Sequence, residues 1–485
     1  MQIIFILGIP LALALAALLL RRQKTIGLLN CAGYLLMLVQ SVSLLRQIVL
    51  SGKTISLFGF ICLDSLSAFF ILVTAVVSFA AALYSFGYIN NDLASARISE
   101  KKARAYYLLF NLFCCSMFFV PALDNLGMLW VAIEMTTLVS AFLVGFYNTK
   151  HSVEAAWKYI IICSVGIILA LLGTILFSYA FSISGISKSL NWSEITPFAN
   201  TLDKNILKFA FLFILVGYGT KAGFAPMHTW LPDAYSQAVS PISALLSGVL
   251  SNAAVYAIFR FGIIVIDGVG IAYFSKLMLL FGVISLVISG GFMLVQKDLK
   301  RLLAYSSIEH IGIIAIGLGL ASPLALCGAL AHIFNHAVTK SLMFFGAGNI
   351  VNLYQKHNLN AIRGVLKAMP FTGVMLLLGV FALCGFPPFS LFISEMIILI
   401  AAFGANAYLI AGLLLLFLSI VFGAFIYHFG KMLYGNLPKG MAVTGQCLSG
   451  KIAFLFLFLL ICAPGIGLLF MQKDLIWFVQ NLFPR

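Results

Sequence analysis

Apolar runs of about twenty residues follow one another along almost the whole chain, separated by short polar loops. A helix of that length crosses the roughly 30 Å hydrocarbon core of a bilayer, at about 1.5 Å per residue. Fourteen such spans are predicted, at 2–20, 26–49, 63–89, 106–120, 123–146, 155–182, 205–224, 239–266, 274–295, 301–320, 324–347, 370–404, 407–435 and 452–471. The stretch 370–404 is too long for one straight crossing. It contains Cys384-Gly385-Phe386-Pro387-Pro388, so a break in mid-membrane is expected there.

The seventh span shows the same punctuation, with GYGTKAGFAPMHTWLPDAYSQAVSP running through a break near Pro226. The breaks near Pro226 and Pro387 lie five spans apart. Five is odd, so the two units that carry them sit upside down relative to each other. Inverted five-helix units, each with an interrupted helix, are a transporter architecture. The chain therefore divides into three N-terminal spans over 1–105 and a first five-helix repeat over 106–266, broken near 219–226. A second repeat follows over 274–435, broken near 385–388, and then a C-terminal span over 452–485. The expected fold class is an all-α polytopic membrane protein of about fourteen transmembrane helices.

Composition agrees. Of 485 residues, 62% are hydrophobic and 9% charged, against about 25% charged in a soluble domain. So few charges do not cover a water-facing surface of this size. The net charge of +15 reads as topology, not as a nucleic-acid footprint, because basic residues collect in cytoplasmic loops. With the Arg21-Arg22-Gln23-Lys24 loop placed in the cytoplasm, eighteen Lys and Arg fall on that side. Eight fall on the other: Arg46, Lys53, Lys188, Lys204, Lys208, Lys276, Lys473 and Arg485. Lys221, Arg260 and Lys340 fall inside spans. Both termini are then expected on the non-cytoplasmic side of a bacterial or archaeal inner membrane. The opening apolar run has no basic residue before it and RRQK after it, which marks a retained first helix.

Nine cysteines are scattered through apolar runs without a CxxC pair or a histidine partner. No iron–sulfur cluster, zinc site or disulfide framework is expected from that pattern. Glycine-rich dinucleotide and haem motifs are also missing, so no cofactor is expected in this chain.

What the spans do contain is ionisable groups, each costing roughly 2.5–3.5 kcal/mol at the bilayer centre. Glu134 lies in LGMLWVAIEMTTLVSAFLVGF, and Lys221 at the seventh-span break. Glu309 and His310 follow AYSSI. His332, His336 and Lys340 share one helix in AHIFNHAVTKSLMF, and Glu395 follows the twelfth-span break. The three residues of AHIFNHAVTKSLMF stand at i, i+4 and i+8, on one helix face, with heads about 6 Å apart along the axis. One water bridges such a gap. Histidine titrates near neutral pH, and burial tunes Lys and Glu toward it. An alternating file of Glu, Lys and His therefore suits proton hopping and does not suit binding of a large apolar solute; interhelical salt bridges that hold the bundle together are the structural alternative. Arg260 and His228 are placed near an interface, where snorkelling is ordinary.

The stretches WVAIEMTTL (130–138), GTKAGFAPMHTWLPDAYSQAVSP (219–241), LKRLLAYSSIEHIGI (299–313), HIFNHAVTKSLMFFGAGNI (332–350) and GFPPFSLFISE (385–395) resemble one known family. It comprises the antiporter-like subunits of respiratory complex I, Mrp-type cation/proton antiporters and membrane-bound energy-converting hydrogenases. The resemblance covers about residues 60–435. It implies fourteen helices with two inverted five-helix repeats. It also implies that Glu134 is the fifth-helix glutamate and Lys221 the lysine paired with it. Lys158 matches a lysine near the start of the sixth helix. His332, His336 and Lys340 match the histidine-rich eleventh span, and Glu395 matches the acidic residue after the twelfth-helix break. One departure stands out: Asn252, in GVLSNAAVYAIFRF, takes a place the family often gives to lysine or histidine. Asparagine carries no proton but holds a water. Glu309, His310 or Lys340 is then expected to bypass it. Glutamate before histidine in SSIEHIGI looks most like the F-type membrane subunit of hydrogenase 4 and formate hydrogenlyase complexes.

The resulting expectation is proton translocation by one membrane subunit of a redox-driven complex, with electron transfer left to partners. Those partners are other membrane subunits and peripheral redox subunits of nickel–iron hydrogenase-like or complex I-like kind, in a lipid bilayer and without nucleic acid. An Mrp-type Na⁺/H⁺ antiporter subunit and a stand-alone solute transporter are the alternatives.

Overall fold

The computed structural model describes residues 2–185, 189–436 and 445–467, with backbone alone at 464–467. The chain is helical almost throughout. Its helices are α1 (Gln2–Leu19), α2 (Gln23–Ser51), α3 (Ser65–Ala94), α4 (Glu100–Ala122), α5 (Leu126–Val144), α6 (Lys150–Ser184) and α7 (Lys204–Ala222). They continue with α8 (Trp230–Gln237), α9 (Ser240–Gly268), α10 (Ile271–Val295), α11 (Leu299–Gly319) and α12 (Pro323–Tyr354). The last are α13 (Pro370–Leu383), α14 (Ser390–Gly404), α15 (Tyr408–Leu433) and α16 (Leu448–Gly467). Among the described residues, the helices α1 to α7, α9 to α11 and α15 are long and apolar enough to cross a membrane by length and composition, eleven in all. This is a multi-pass membrane protein. A short antiparallel hairpin, β1 (Ile55–Leu57) with β2 (Ile61–Leu63), links α2 to α3. Of the basic residues counted for orientation, Lys188, Lys439, Lys473 and Arg485 lie outside the described residues, as does 468–485 of the C-terminal segment.

Helix starts are written in the loops. Asp64, Ser99, Asn125, Thr149, Asp203, Asp298 and Ser322 each cap a first turn, with a side-chain oxygen accepting a backbone N–H. These polar residues satisfy donors that a helix end leaves open. Several caps lie a few residues outside the apolar runs. That is why α4 and α6 start earlier than the predicted spans.

Both predicted interruptions are present. Helix α7 stops at Gly223, whose φ of +96° closes the helix in the left-handed region. An irregular segment then leads into α8. The long stretch 370–404 divides into α13 and α14, with Gly385 at φ +62° between them. A single π-helical turn, Leu246–Leu250, sits inside α9. Such turns often accompany functional positions.

Helices α3, α9, α11 and α12 are buried along most of their length and form the middle of the bundle. Small residues let backbones meet, as membrane helices require. A Cβ at Gly217 of α7 would lie 2.5 Å from the Ala170 nitrogen of α6, and one at Gly248 of α9 would lie 3.0 Å from the Ala337 carbonyl oxygen of α12. The outer helices α1, α2, α6, α10 and α15 turn residues such as Leu18, Leu36, Ile168, Leu280 and Leu409 outward.

Candidate functional site

Two buried polar clusters form, one at each helix break. The first is built on α5, α6 and α7. Lys221 lies in the last turn of α7, fully buried, where the negative end of the helix dipole favours a cation. Its ammonium donates to the Thr137 hydroxyl at 2.6 Å and to the Tyr159 hydroxyl at 2.8 Å, and stands over the Tyr159 ring. The Thr137 hydroxyl in turn donates to Glu134 Oε2 at 3.3 Å. Tyr159 and Ser140 share a further hydrogen bond of 2.7 Å.

The expected Glu134–Lys221 pair is thus joined through a hydroxyl. Among the described residues no ion pair joins them; Thr137 stands between and bridges both. Glu134 is also half-buried rather than enclosed, because it borders a face of α5 on which Met128, Val131, Met135, Leu138 and Phe142 point outward. Lys158, also expected in the relay, stands toward Asp233. Its side chain is 48% exposed and pairs with Glu154 at 2.7 Å and Asp233 at 3.2 Å. Arg301 shares Asp233. Lys158 belongs to a surface ion-pair network, one of modest energetic weight.

The second cluster lies among α11, α12 and α14. His310 Nδ1 and His332 Nε2 share a hydrogen bond of 3.0 Å, and His332 Nδ1 meets the Ser394 hydroxyl at 3.0 Å. The His310 and His336 rings are 5.1 Å apart between centroids. Lys340 donates to the Leu303 carbonyl at 3.0 Å and to the Ser306 hydroxyl at 2.6 Å. Among the described residues it makes no ion pair with Glu309. Glu309, His310, His332, His336, Lys340 and Glu395 are all buried. Within the cluster Glu309 Oε2, His310 Nε2, both nitrogens of His336 and Glu395 Oε1 have no hydrogen-bond partner among the described residues. Buried polar atoms left open in this way are costly unless water or a moving proton serves them. The expected single face of His332, His336 and Lys340 is thus joined by α11 on one side and α14 on the other.

His310, His332 and Glu395 offer ligand atoms within 4.8 Å of one another. Two imidazoles and a carboxylate would suit a divalent cation. The hydrogen bond between the two rings, however, already engages a lone pair that a metal would need. The arrangement fits proton exchange from group to group.

Glu395 is held by the break. A Cβ at Gly385 would fall 2.0 Å from Glu395 Oε2, in a backbone conformation that side chains rarely adopt. Gly385→Ala is therefore expected to push the carboxylate away from His310 and His332 and to lower proton transport about tenfold. Measuring transport per assembled complex tests this. An unchanged rate would show that the Glu395 position does not matter.

The remaining sequence candidates divide. Asn252 donates to the Gly248 carbonyl of its own helix at 2.7 Å, and its Oδ1 is buried without a partner among the described residues. Ser247 and Ser307, one turn away, share a 2.8 Å hydrogen bond between α9 and α11. His228 is buried beside Tyr305. Arg260 does not snorkel. Its guanidinium is buried, stacks on Trp192 and binds Asp64, Ser67 and Tyr256.

Sequence reasoning did not single out Thr137, Tyr159, Ser306 or Ser394, the hydroxyls that connect the charges. Thr and Ser are ordinary in membrane helices, so only the fold distinguishes these from the rest.

Known proteins share this arrangement of helices. A family model described as NADH:quinone oxidoreductase/Mrp antiporter, TM, matches residues 124–423. A second, for the N-terminus of NADH-ubiquinone oxidoreductase (complex I) chain 5, matches residues 56–97. The chain is 37% identical over 415 residues to the hydrogenase-4 component F homolog of Methylacidiphilum infernorum, covering 84% of this chain and 85% of that relative. It is 33% identical over 345 residues to hydrogenase-4 component B of Escherichia coli, covering 69% of this chain but 49% of that relative. Among solved structures, a chain of the membrane-bound sulfane sulfur reductase, an archaeal respiratory membrane complex, superposes with TM-score 0.88 at 24% identity, covering 99% of this chain and 98% of that one. A chain of the Mrp complex from Dietzia sp. DQ12-45-1b superposes with TM-score 0.86 at 19% identity, covering 100% and 97%. Both likenesses show the fold.

Proposed function

The chain belongs to the NADH:quinone oxidoreductase/Mrp antiporter membrane family, and from that premise we propose that it carries protons across the bilayer as one membrane subunit of a redox-driven complex of the hydrogenase-4 type. One observation carries the reading. The second cluster holds six buried ionisable side chains, and its open polar atoms are found on three of the helices that meet there. Such a file is expensive to bury and has a use only if protons or water move through it. Redox chemistry and its cofactors belong to peripheral partner subunits, with further membrane subunits alongside.

The same reading takes the chain through the bilayer fourteen times. To the eleven long apolar helices are added α12, which is long but diluted by His332, Asn335, His336 and Lys340; the pair α13 and α14, which make one broken crossing; and α16. The α7–α8 break and the α13–α14 break then fall at matching places in two inverted five-helix repeats. With the basic α1–α2 loop taken as cytoplasmic, this reading has both termini on the non-cytoplasmic side.

The transported ion is the proton. Sodium needs several converging oxygen ligands. Here Lys221 and Lys340 fill the two hydroxyl-lined positions with ammonium groups, and the middle of the second cluster is imidazole. Vesicles that contain the whole complex, energised in sodium-free medium and followed with a pH-sensitive dye, should acidify or alkalise at the full rate. A rate that requires sodium, with proton movement only secondary, would overturn the assignment in favour of cation/proton exchange.

A further inference from the structure

Asn252, Tyr256 and Arg260 stand at i, i+4 and i+8 on one face of α9, and the groups around them form a continuous polar line. Asn252 and Tyr256 line a small cavity of about 10 Å³ with Phe70 and Thr74 of α3 and Met117 of α4. That volume just seats one water. The Asn252 Oδ1 atom is buried without a partner among the described residues, as a water site requires. The Tyr256 hydroxyl then lies 3.1 Å from both the Ser67 hydroxyl and the Pro121 carbonyl, and its one proton turns to either. The Ser67 hydroxyl and Asp64 Oδ1 share one donor, Arg260 Nη2, so they are neighbours. Asp64 and Arg260 in turn line an open cavity of about 1510 Å³, whose wall includes Lys53, Ser193, Asn200 and Asp267. That cavity faces the side proposed as non-cytoplasmic.

We propose that this line is the chain's proton port to the non-cytoplasmic side: a water held by Asn252, then Tyr256, then Ser67, then the Asp64 carboxylate at the cavity mouth. The proposal rests on the proton-carrying reading above and adds its route outward. Each step moves one proton. The cavity water, protonated from within, gives a proton to the Tyr256 oxygen as that hydroxyl gives its own to Ser67. The Ser67 hydroxyl passes its proton to Asp64, and Asp64 releases one to the water of the open cavity. No hydroxyl stays ionised. Arg260 holds Tyr256, Ser67 and Asp64 in line and takes no proton itself. On the inner side Ser247, five residues before Asn252 on α9, hydrogen-bonds Ser307 of α11, the sequence neighbour of the Ser306 hydroxyl that accepts from Lys340. Asparagine in place of a charged residue at 252 thus serves as a water holder.

The test uses the assembled complex in sealed vesicles. Tyr256→Phe and Ser67→Ala each remove one hydroxyl and leave the Arg260–Asp64 pair in place. Each should lower pumping at least tenfold at normal complex yield, and Ser67→Thr, which restores a hydroxyl, should recover at least half. A role limited to packing would change yield and would not follow the hydroxyl. Glu309→Gln is measured in parallel. If Glu309→Gln stops pumping while Tyr256→Phe and Ser67→Ala pump at the unmodified rate, the port lies elsewhere and the proposal falls. If all three pump normally, the proton-carrying reading falls and the port with it. Should Tyr256→Phe assemble poorly, Ser67→Ala against Ser67→Thr decides the matter alone.

Discussion

Lys221→Met should lower proton pumping about a hundredfold or more, the usual scale for losing a positioned proton carrier. The substitution keeps the length and much of the volume of the side chain and removes only the ammonium. Assembly should be near normal, for a structural reason. Lys221 is not half of a direct ion pair, so no carboxylate is stranded when its charge is lost. The two hydroxyls that accept from it keep other partners, Thr137 with Glu134 and Tyr159 with Ser140. Thr137→Val refines the test. It leaves both charges in place and removes the oxygen that joins them, and should lower pumping about tenfold. If Thr137→Val pumps normally while Lys221→Met does not, the two charges act through space and the bridge is incidental. Normal pumping in Lys221→Met would remove the first cluster from the pathway.

How far the sequence led is clearest in this cluster. A carboxylate in the middle of LGMLWVAIEMTTLVSAFLVGF and a lysine at a glycine-rich break are costly in lipid, so Glu134 and Lys221 were legible without a structure. The hydroxyls between them were not. The distance from Thr137 to Lys221 depends on how α5 meets α7 across α6, and that packing is set by glycines such as Gly217, whose contact lies at another helix. The partners of Lys158 were hidden for a related reason. A lysine near the start of a span reads the same from sequence whether its side chain turns inward or reaches Glu154 one turn away. Arg260 shows the opposite error. Its half-buried partner, Asp64, lies nearly two hundred residues earlier and caps α3, so nothing near Arg260 in the chain announced the pair. The breaks at Gly223 and Gly385, in contrast, were fully legible, because glycine and proline act on the backbone where they stand.

Glu309→Gln is expected to stop pumping, again by about a hundredfold or more, at unchanged complex yield. Sequence alone left two readings of Glu309, a relay member or a lock on Lys340. The geometry separates them. Lys340 is satisfied by the Leu303 carbonyl and the Ser306 hydroxyl, and Glu309 Oε2 is buried with no partner among the described residues. Neutralising Glu309 therefore strands no cation, and the several kcal/mol that breaking a buried pair would cost do not arise. A glutamine retains the shape and cannot exchange a proton. The same reasoning sets the expectation at Asn252. Placing lysine there would direct an ammonium toward Phe70, Thr74, Met117 and Pro121, where no carboxylate waits. Asn252→Lys should therefore lower the yield of the complex, not restore a relay. Yield is read from the amount of assembled complex in solubilised membranes, and pumping from vesicles normalised to it. A Glu309→Gln complex that pumps at the unmodified rate would exclude Glu309 from the route. One that assembles poorly yet pumps normally per complex would make it a structural group after all, and would move the proton path to His310, His332 and Glu395 alone.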